Sequence, residues 1–224
     1  MGRGRLAVLV LLRVVLLVPL IGGLLLVPAG SWGYWEAWVY CGIFFVPTLV
    51  ISLYFLARDP AFLERRMKWR EKERRQQVGQ SIMSLLYIIS ILIPGFDYRY
   101  GWSKMPVALV LAADAVILGG FLLVLRVFQE NRYAASTVEV EAGQQVISSG
   151  PYAVVRHPMY LGALLMFLFT PLALGSYWAL LAALPLTGGL VLRIRNEEAV
   201  LRRELPGYAE YCRKVRWRLI PRAW

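Results

Sequence analysis

Two polar stretches hold the side chains with the widest chemical reach. The first, "RHPMYLG" at 156 to 162, carries the chain's single histidine, His157, between Arg156 and Pro158. Proline lacks a backbone N–H and pushes the residue before it out of α geometry, so a helix is expected to begin at Pro158 with His157 near its N-cap. Helix N-termini attract anions, Arg156 adds a fixed positive charge, and Tyr160 brings a hydrogen-bonding ring to the same end. The second stretch, "RIRNEE" at 193 to 198, places Arg193 and Glu197 four apart, on one helix face, with Glu198 about a quarter turn away. At this level each stretch has a plainer reading: a basic pair marking a membrane interface, and a surface ion pair of small energetic weight.

The elements around them are apolar. The chain has 224 residues, is 58% hydrophobic and carries a net charge of +11. Its apolar runs repeatedly reach the ~20 residues a helix needs to cross ~30 Å of hydrocarbon. Spans are expected at roughly 6–27, 35–57, 78–95, 106–128, 158–175 and 177–194, the last two forming a tight hairpin around "LGSYW". The fold class is therefore all-α, an integral membrane bundle of about six transmembrane helices. The opening stretch has a basic start and an apolar run, yet that run is too long for a signal peptide and lacks a clear A-x-A site, so it is read as a retained first span.

Basic residues collect in the segment 57–77 and in the tail from Arg195, whereas the intervening loops hold only Arg99 and Lys104. By the positive-inside rule both termini, both basic segments and the two polar motifs face the cytoplasm. Trp32, Tyr34, Trp35 and Trp38, and across the sequence Tyr98, Tyr100 and Trp102, read as interfacial anchors. Charge so segregated from the spans indicates topology and anionic lipid contact, not nucleic acid. Cys41 and Cys212 show no CxxC or Cys/His spacing, so neither a disulfide nor a metal site is indicated.

Residues 1–128 are expected to hold four transmembrane helices with the basic cytoplasmic loop 58–77. Residues 129–224 should hold an ordered polar loop packed on the bundle mouth, the hairpin and a cytoplasmic C-terminal helix, all within one integrated domain. Asp114 is the ionisable exception inside a span, where insertion costs about 2.5–3.5 kcal/mol. A structural hydrogen bond, a neutral form and a substrate-cavity role are all open for it, and Arg13 either pairs with it or snorkels to the headgroups. There is no P-loop, no GxGxxG after a strand, no HExxH and no Gly-x-Ser-x-Gly, which leaves the familiar soluble cofactor sites and nucleophile elbows without support.

"SSGPYAVVRHPMYLGALL" followed by "RIRNEEAVLRRELPGYAEYCRKVRWRLIP" resembles the isoprenylcysteine carboxyl methyltransferase family and its relatives among the phospholipid methyltransferases. The resemblance covers roughly the last 95 residues, and both motifs at this separation are more specific than either alone. It implies a membrane enzyme using S-adenosyl-L-methionine, held in a cytoplasm-facing pocket of the last helices and the tail. By motif, Tyr152, Arg156, His157, Pro158, Met159 and Tyr160 would line the cofactor site. Gln144, Gln145, Val146 and Ile147 stand where the family has a cofactor-contacting segment, with Val-Ile replacing the commoner Leu-Val. Arg193 matches the arginine facing the acceptor, Glu197 the glutamate that contacts cofactor and orders the pocket, and Glu198 completes the glutamate pair. Pro-Gly at 206–207 replaces the usual Phe-Gly turn.

The implied acceptor is lipid-soluble or amphipathic and reaches the site from the bilayer. An acceptor carboxylate needs no base and Arg193 would orient it, whereas a thiol, phenol or amine would need Glu197, or a water beside it, to take the proton. Membrane sterol reductases share a similar C-terminal arrangement with NADPH as donor, which gives one alternative. A non-enzymatic membrane protein binding anionic lipid through Arg65, Arg66, Lys68 and Arg70 gives another.

Overall fold

The computed structural model describes residues 2–66, 74–134, 140 and 143–224. Lys68 and Arg70 of the basic segment lie outside them. Among the described residues there is no strand, and eight α-helices follow in order: α1 (Arg3–Ala29), α2 (Trp35–Arg58), α3 (Pro60–Arg66), α4 (Arg74–Tyr100), α5 (Val107–Glu130), α6 (Pro158–Ala173), α7 (Ala179–Glu204) and α8 (Tyr208–Lys214).

All six expected spans are helical, but they divide into two kinds. The helices α1, α2, α4 and α5 are long and apolar enough to cross a membrane unaided. The hairpin arms differ. With 16 residues, α6 is about 24 Å long at 1.5 Å per residue, short of a ~30 Å core. In α7 the 26 residues are apolar only as far as Leu192, after which Arg193 and Arg195 begin the polar end. Around the bundle the neighbours run α1, α2, α5, α6, α7, α4 and back to α1. Val15 and Leu16 of α1, Val46 and Val50 of α2 and Leu122 of α5 face outward, an apolar belt of the kind that lipid covers.

Glycine sets the closest helix approaches. A Cβ on Gly162 of α6 would lie 2.8 Å from Val124 Cγ2 and 3.0 Å from the Gly120 carbonyl oxygen of α5. A Cβ on Gly95 of α4 would meet the Leu25 carbonyl of α1 at 2.5 Å. The α5–α6 contact matters most for function, because it fixes the height at which α6 begins.

The turn of the hairpin is stapled at the far end of the bundle. Buried Asp97, near the end of α4, accepts from the Ser103 amide and hydroxyl, each at 2.6 Å, and from Ser176 Oγ at 2.5 Å. Tyr34 adds a hydroxyl bond to the Leu174 carbonyl at 2.5 Å, and Gly175 turns the chain at φ 72°. The other span carboxylate is unlike this one: Asp114 in α5 is buried, and neither of its oxygens has a hydrogen-bond partner among the described residues. The hydrogen-bonded pairing with Arg13 is therefore not formed.

Candidate functional site

The entry into α6 follows from its sequence. His157 occupies the N-cap with φ −124° and ψ 59°, Pro158 is the first helical residue, and the Leu161 amide bonds the His157 carbonyl at 3.1 Å. The His157 side chain makes no capping bond, so its ring is available for other contacts. Upstream, the loop is docked on the end of α5: Ser149 Oγ donates to Glu130 Oε1, and Asn131 Nδ2 donates to the Tyr152 hydroxyl at 2.9 Å. Gly150, at φ 54°, opens the 3-10 turn Gly150–Ala153 that carries Tyr152.

Downstream, the tail after α8 returns to the same place. The backbone amides of Arg156 and His157 donate to the Trp217 and Arg218 carbonyls, each at 2.9 Å. Tyr211 Oη donates to the Tyr152 carbonyl at 2.8 Å. Loop, helix start and tail are thus one assembly, which explains why residues far apart in sequence meet there.

These elements enclose a cleft of about 860 Å³, including the open space at its mouth. It is lined by Gln144, Gln145, Val146, Ile147, Tyr152, Arg156, His157, Met159, Tyr160, Arg193 and Glu197. Of the residues that the sequence nominated, only Pro158 and Glu198 do not line it. Pro158 is buried as the first residue of α6, where its role is to start the helix.

Glu198 is buried in a charge cluster beside the cleft. Its Oε1 lies 2.8 Å from Arg156 Nε and 3.4 Å from His157 Nε2, and Arg218 Nε donates to Oε2 at 3.0 Å. Burial by itself would raise the carboxyl pKa, but hydrogen bonds from His157 and Arg218 and the charge of Arg156 outweigh it and hold the group at about 2. Arg156 also donates to the Cys212 and Val215 carbonyls at 3.4 and 3.3 Å. Glu198 therefore orients Arg156 and His157 from behind.

Glu197 points the other way, into the cleft. Tyr160 Oη donates to its Oε2 at 2.6 Å, and Arg193 Nε donates to the same phenol oxygen at 3.0 Å. The Arg193–Glu197 helix face is thus joined through the tyrosine of the neighbouring helix. His157 and Tyr160 lie with ring centroids 5.7 Å apart.

Several lining residues were not singled out in the sequence. Asn131 and Tyr133 follow the end of α5, and Val200, Leu201, Leu205, Tyr208 and Tyr211 come from α7, its C-cap and α8. The phenol oxygen of Tyr208 is buried with no hydrogen-bond partner among the described residues. Burial raises the pKa of Tyr208 and Tyr211, and pushes Tyr152 up to about 12, so all three rings remain neutral donors at physiological pH. The one available signal for Tyr208 and Tyr211 was their three-residue spacing after Pro-Gly, which places them on one helix face.

Cleft and residues suit a polar, partly aromatic cofactor. The wall combines flat phenol rings, aliphatic side chains, two glutamine amides, a carboxylate and an unsatisfied hydroxyl. No group of three or more metal-ligating side chains occurs among the described residues.

Residues 108–206 match the phospholipid methyltransferase family model, the family of membrane methyltransferases related to the isoprenylcysteine carboxyl methyltransferases. The match spans α5, the loop, the hairpin and the start of the turn to α8. Over 88 residues the chain is 36% identical to the delta(14)-sterol reductase of Mus musculus. That stretch is 38% of this chain but 21% of the mouse protein, so the chain spans about a fifth of that relative's length.

Proposed function

We propose that this chain, whose residues 108–206 match the phospholipid methyltransferase family, is an integral-membrane methyltransferase that uses S-adenosyl-L-methionine to methylate a lipid-soluble or amphipathic acceptor. One observation carries the reading. The Arg193–Tyr160–Glu197 hydrogen-bond chain stands in the wall of a cleft lined by the family-motif residues of the loop and both hairpin arms. Both termini and the cleft are assigned to the cytoplasmic side on the distribution of basic residues. The chain acts as one unit, since α5 of the first half packs through Gly120 on Gly162 of the second.

When bound, S-adenosyl-L-methionine supplies a methyl group on a positively charged sulfur, and transfer is an in-line displacement in which that charge is neutralised. The protein's tasks are then alignment and exclusion of water. Gln144, Gln145, Val146, Ile147, Tyr152, His157, Met159 and Tyr160 would hold the cofactor. The Tyr208 hydroxyl, buried and unsatisfied, would gain a partner from it. Glu198 fixes Arg156 and His157, and Glu197 is fixed by Tyr160. Arg193 orients the acceptor. For an acceptor that must lose a proton, the Glu197 carboxylate is the group placed to take it.

The mouse reductase match supports a second reading, in which an NADPH-type donor occupies the same cleft. Its 2′-phosphate would require cationic partners. Arg156 is already held by Glu198 and two carbonyls, and Arg193 by Tyr160, which favours the methyl donor. Titration calorimetry of the purified full chain with S-adenosylhomocysteine separates the readings. Binding that weakens in His157→Ala and Glu197→Ala supports methyl transfer. Absence of binding, together with saturable NADPH binding, transfers the assignment to the reductase reading.

A further inference from the structure

The tail after α8 lies at a definite depth. Leu219 is buried with Tyr160 of α6 and with Leu190 and Ile194 of α7, and Trp224 packs on that cluster. Leu190 belongs to the apolar part of α7, which runs to the outward-facing Leu192. The tail is therefore level with the change from the apolar to the polar end of α7, the depth of the headgroups in a bilayer.

The stretch that lies there, "RWRLIPRAW" at 216–224, holds three arginines and no acidic residue. Nearby cations have protein partners: Arg203 pairs with Glu204 at 2.6 Å and Lys214 with Glu210 at 2.9 Å. Arg218 reaches inward to Glu198 at 3.0 Å. Arg216 and Arg222 stay exposed, beside Trp217 and Ile220 at 36% and 44% exposure. Arg222 stands at φ 67°, the one non-glycine residue with a positive φ among the described residues. That backbone region is ordinary for glycine and strained for arginine, and such strain gathers where a side chain serves a function. Cations interleaved with apolar side chains at headgroup depth are the pattern of a segment lying in the membrane plane, its arginines on lipid phosphates. An acidic protein segment would answer the arginines but not the apolar side chains exposed among them.

The same tail is tied to the cleft. The Arg156 and His157 amides donate to the Trp217 and Arg218 carbonyls, each at 2.9 Å, and the amides of Arg218, Leu219 and Ile220 converge on the Trp224 carbonyl oxygen at 2.9, 2.9 and 3.1 Å. The Arg218 guanidinium that bonds Glu198 lies 5.4 Å over the Trp224 ring. Whatever keeps 216–224 in this turn keeps Arg218 on Glu198, and through it Arg156 and His157 in place.

We propose that residues 216–224 form an interfacial foot that binds anionic phospholipid headgroups of the leaflet at the cleft end, Arg216 and Arg222 pairing with phosphates while Trp217 and Ile220 enter the headgroup layer, and that this contact tightens the cofactor site. The lipid here is an effector and not the methyl acceptor. The inference rests on the methyltransferase reading only for the ligand of the cleft.

Hydrogen exchange of the full chain in nanodiscs tests the foot, comparing phosphatidylcholine alone with phosphatidylcholine mixed with phosphatidylglycerol. The 216–224 peptide contains the three amides that converge on Trp224, so its exchange reads the opening of the turn. Exchange should slow by about fivefold for each arginine engaged, ~30-fold for the pair, in the anionic discs. High salt should remove the difference. Arg216→Gln with Arg222→Gln should abolish it, and the corresponding pair of lysines should retain most of it. Glycerol phosphate added to phosphatidylcholine discs should not reproduce it. Calorimetry with S-adenosylhomocysteine in the same discs should give a dissociation constant about fivefold lower in the anionic lipid. The double glutamine variant should lose that gain and keep the parent's affinity and thermal midpoint in phosphatidylcholine. Equal exchange in the two lipids, a lipid effect that survives the double glutamine change, or full reproduction by glycerol phosphate overturns the foot. Slowed exchange with an affinity indifferent to lipid overturns its link to the cleft. Lipid-dependent exchange without any S-adenosylhomocysteine binding overturns the methyl-donor reading and leaves the foot standing.

Discussion

Tyr160 and Glu197 are joined across 2.6 Å, the phenol of the first turn of α6 donating to a carboxylate in the polar end of α7. Because Arg193 Nε donates to the same oxygen at 3.0 Å, one hydroxyl sets the relative positions of a carboxylate and a guanidinium that share a helix face. Without it the two would be free to pair directly, as the i,i+4 spacing allows. The tyrosine holds them apart in the wall of the cleft.

Tyr160→Phe should therefore affect transfer more than cofactor binding. The ring and its packing against Leu190 and Ile194 survive, while Glu197 and Arg193 lose their shared anchor. A misplacement of about 1 Å is enough for a ~100-fold loss in an alignment-limited reaction. We expect kcat/KM for the acceptor to fall by about 10- to 100-fold, with the dissociation constant for S-adenosylhomocysteine changed by less than about threefold. Steady-state kinetics beside calorimetry measures both, and an equal loss in the two would show that the phenol acts on the cofactor.

Glu198→Gln should instead weaken the fold around the cleft. The carboxylate is 4% exposed and faces Arg156, which is 5% exposed, so its neutralisation leaves a buried guanidinium without its counter-charge. Breaking a buried pair from one side costs about 3–5 kcal/mol. The pH dependence follows from the sign of the shift. The folded-state value of about 2 is below the ordinary 4.5, so the contribution is complete above pH 4.5 and is lost as the pH falls through 2. Thermal unfolding in detergent from pH 7 downwards should show a lower midpoint for Glu198→Gln at neutral pH, and the gap to the parent chain should narrow between pH 4.5 and 2.

How much of this the sequence contains depends on the range of each signal. Pro158 and His157 mark the α6 start locally, through the fixed φ of proline and its effect on the residue before it, and the helix begins there. Apolar run length located six helices but did not distinguish four that cross unaided from a shorter hairpin, because hydropathy measures composition and the height of α6 is set by Gly120 against Gly162. The quarter-turn offset between Glu197 and Glu198 was legible in the spacing: successive helix residues point about 100° apart, and one stands in the cleft wall and the other in the Arg156–Arg218 cluster. Tyr208 carried only the faint mark of its spacing to Tyr211 after Pro-Gly. It reaches the site through the packing of α8, whose Tyr211 bonds the Tyr152 carbonyl 59 residues away in sequence.

Gly162→Val tests whether the α5–α6 approach positions the cleft. A single Cβ already falls 2.8 Å from Val124 Cγ2 and 3.0 Å from the Gly120 carbonyl oxygen, and a backbone oxygen cannot rotate away as a side chain does. Overpacking of this kind costs about 1–3 kcal/mol, and its relief requires α6 to shift with His157 and Tyr160 at its head. Both thermal stability and S-adenosylhomocysteine affinity should fall. By contrast Gly119→Ala, whose Cβ meets nothing within 4 Å, should leave both unchanged.

His157→Ala and Arg193→Ala should separate binding from transfer. His157 lines the cleft, is held from behind by Glu198 at 3.4 Å and lies tilted against the Tyr160 ring, a setting that suits ligand contact, not proton transfer. Its removal should weaken S-adenosylhomocysteine binding by about tenfold, the loss of one buried polar contact worth ~1.4 kcal/mol, and leave kcat at saturating cofactor within about threefold. Arg193 sits one helical turn before Glu197, at the level where the polar end of α7 leaves its apolar half, and faces Tyr160. Arg193→Ala should leave cofactor affinity nearly unchanged and raise KM for the acceptor, or lower kcat if the arginine's alignment matters only during transfer. The two substitutions exchanging these effects would place the acceptor against α6 and the cofactor against α7, reversing the roles assigned to the two arms of the hairpin.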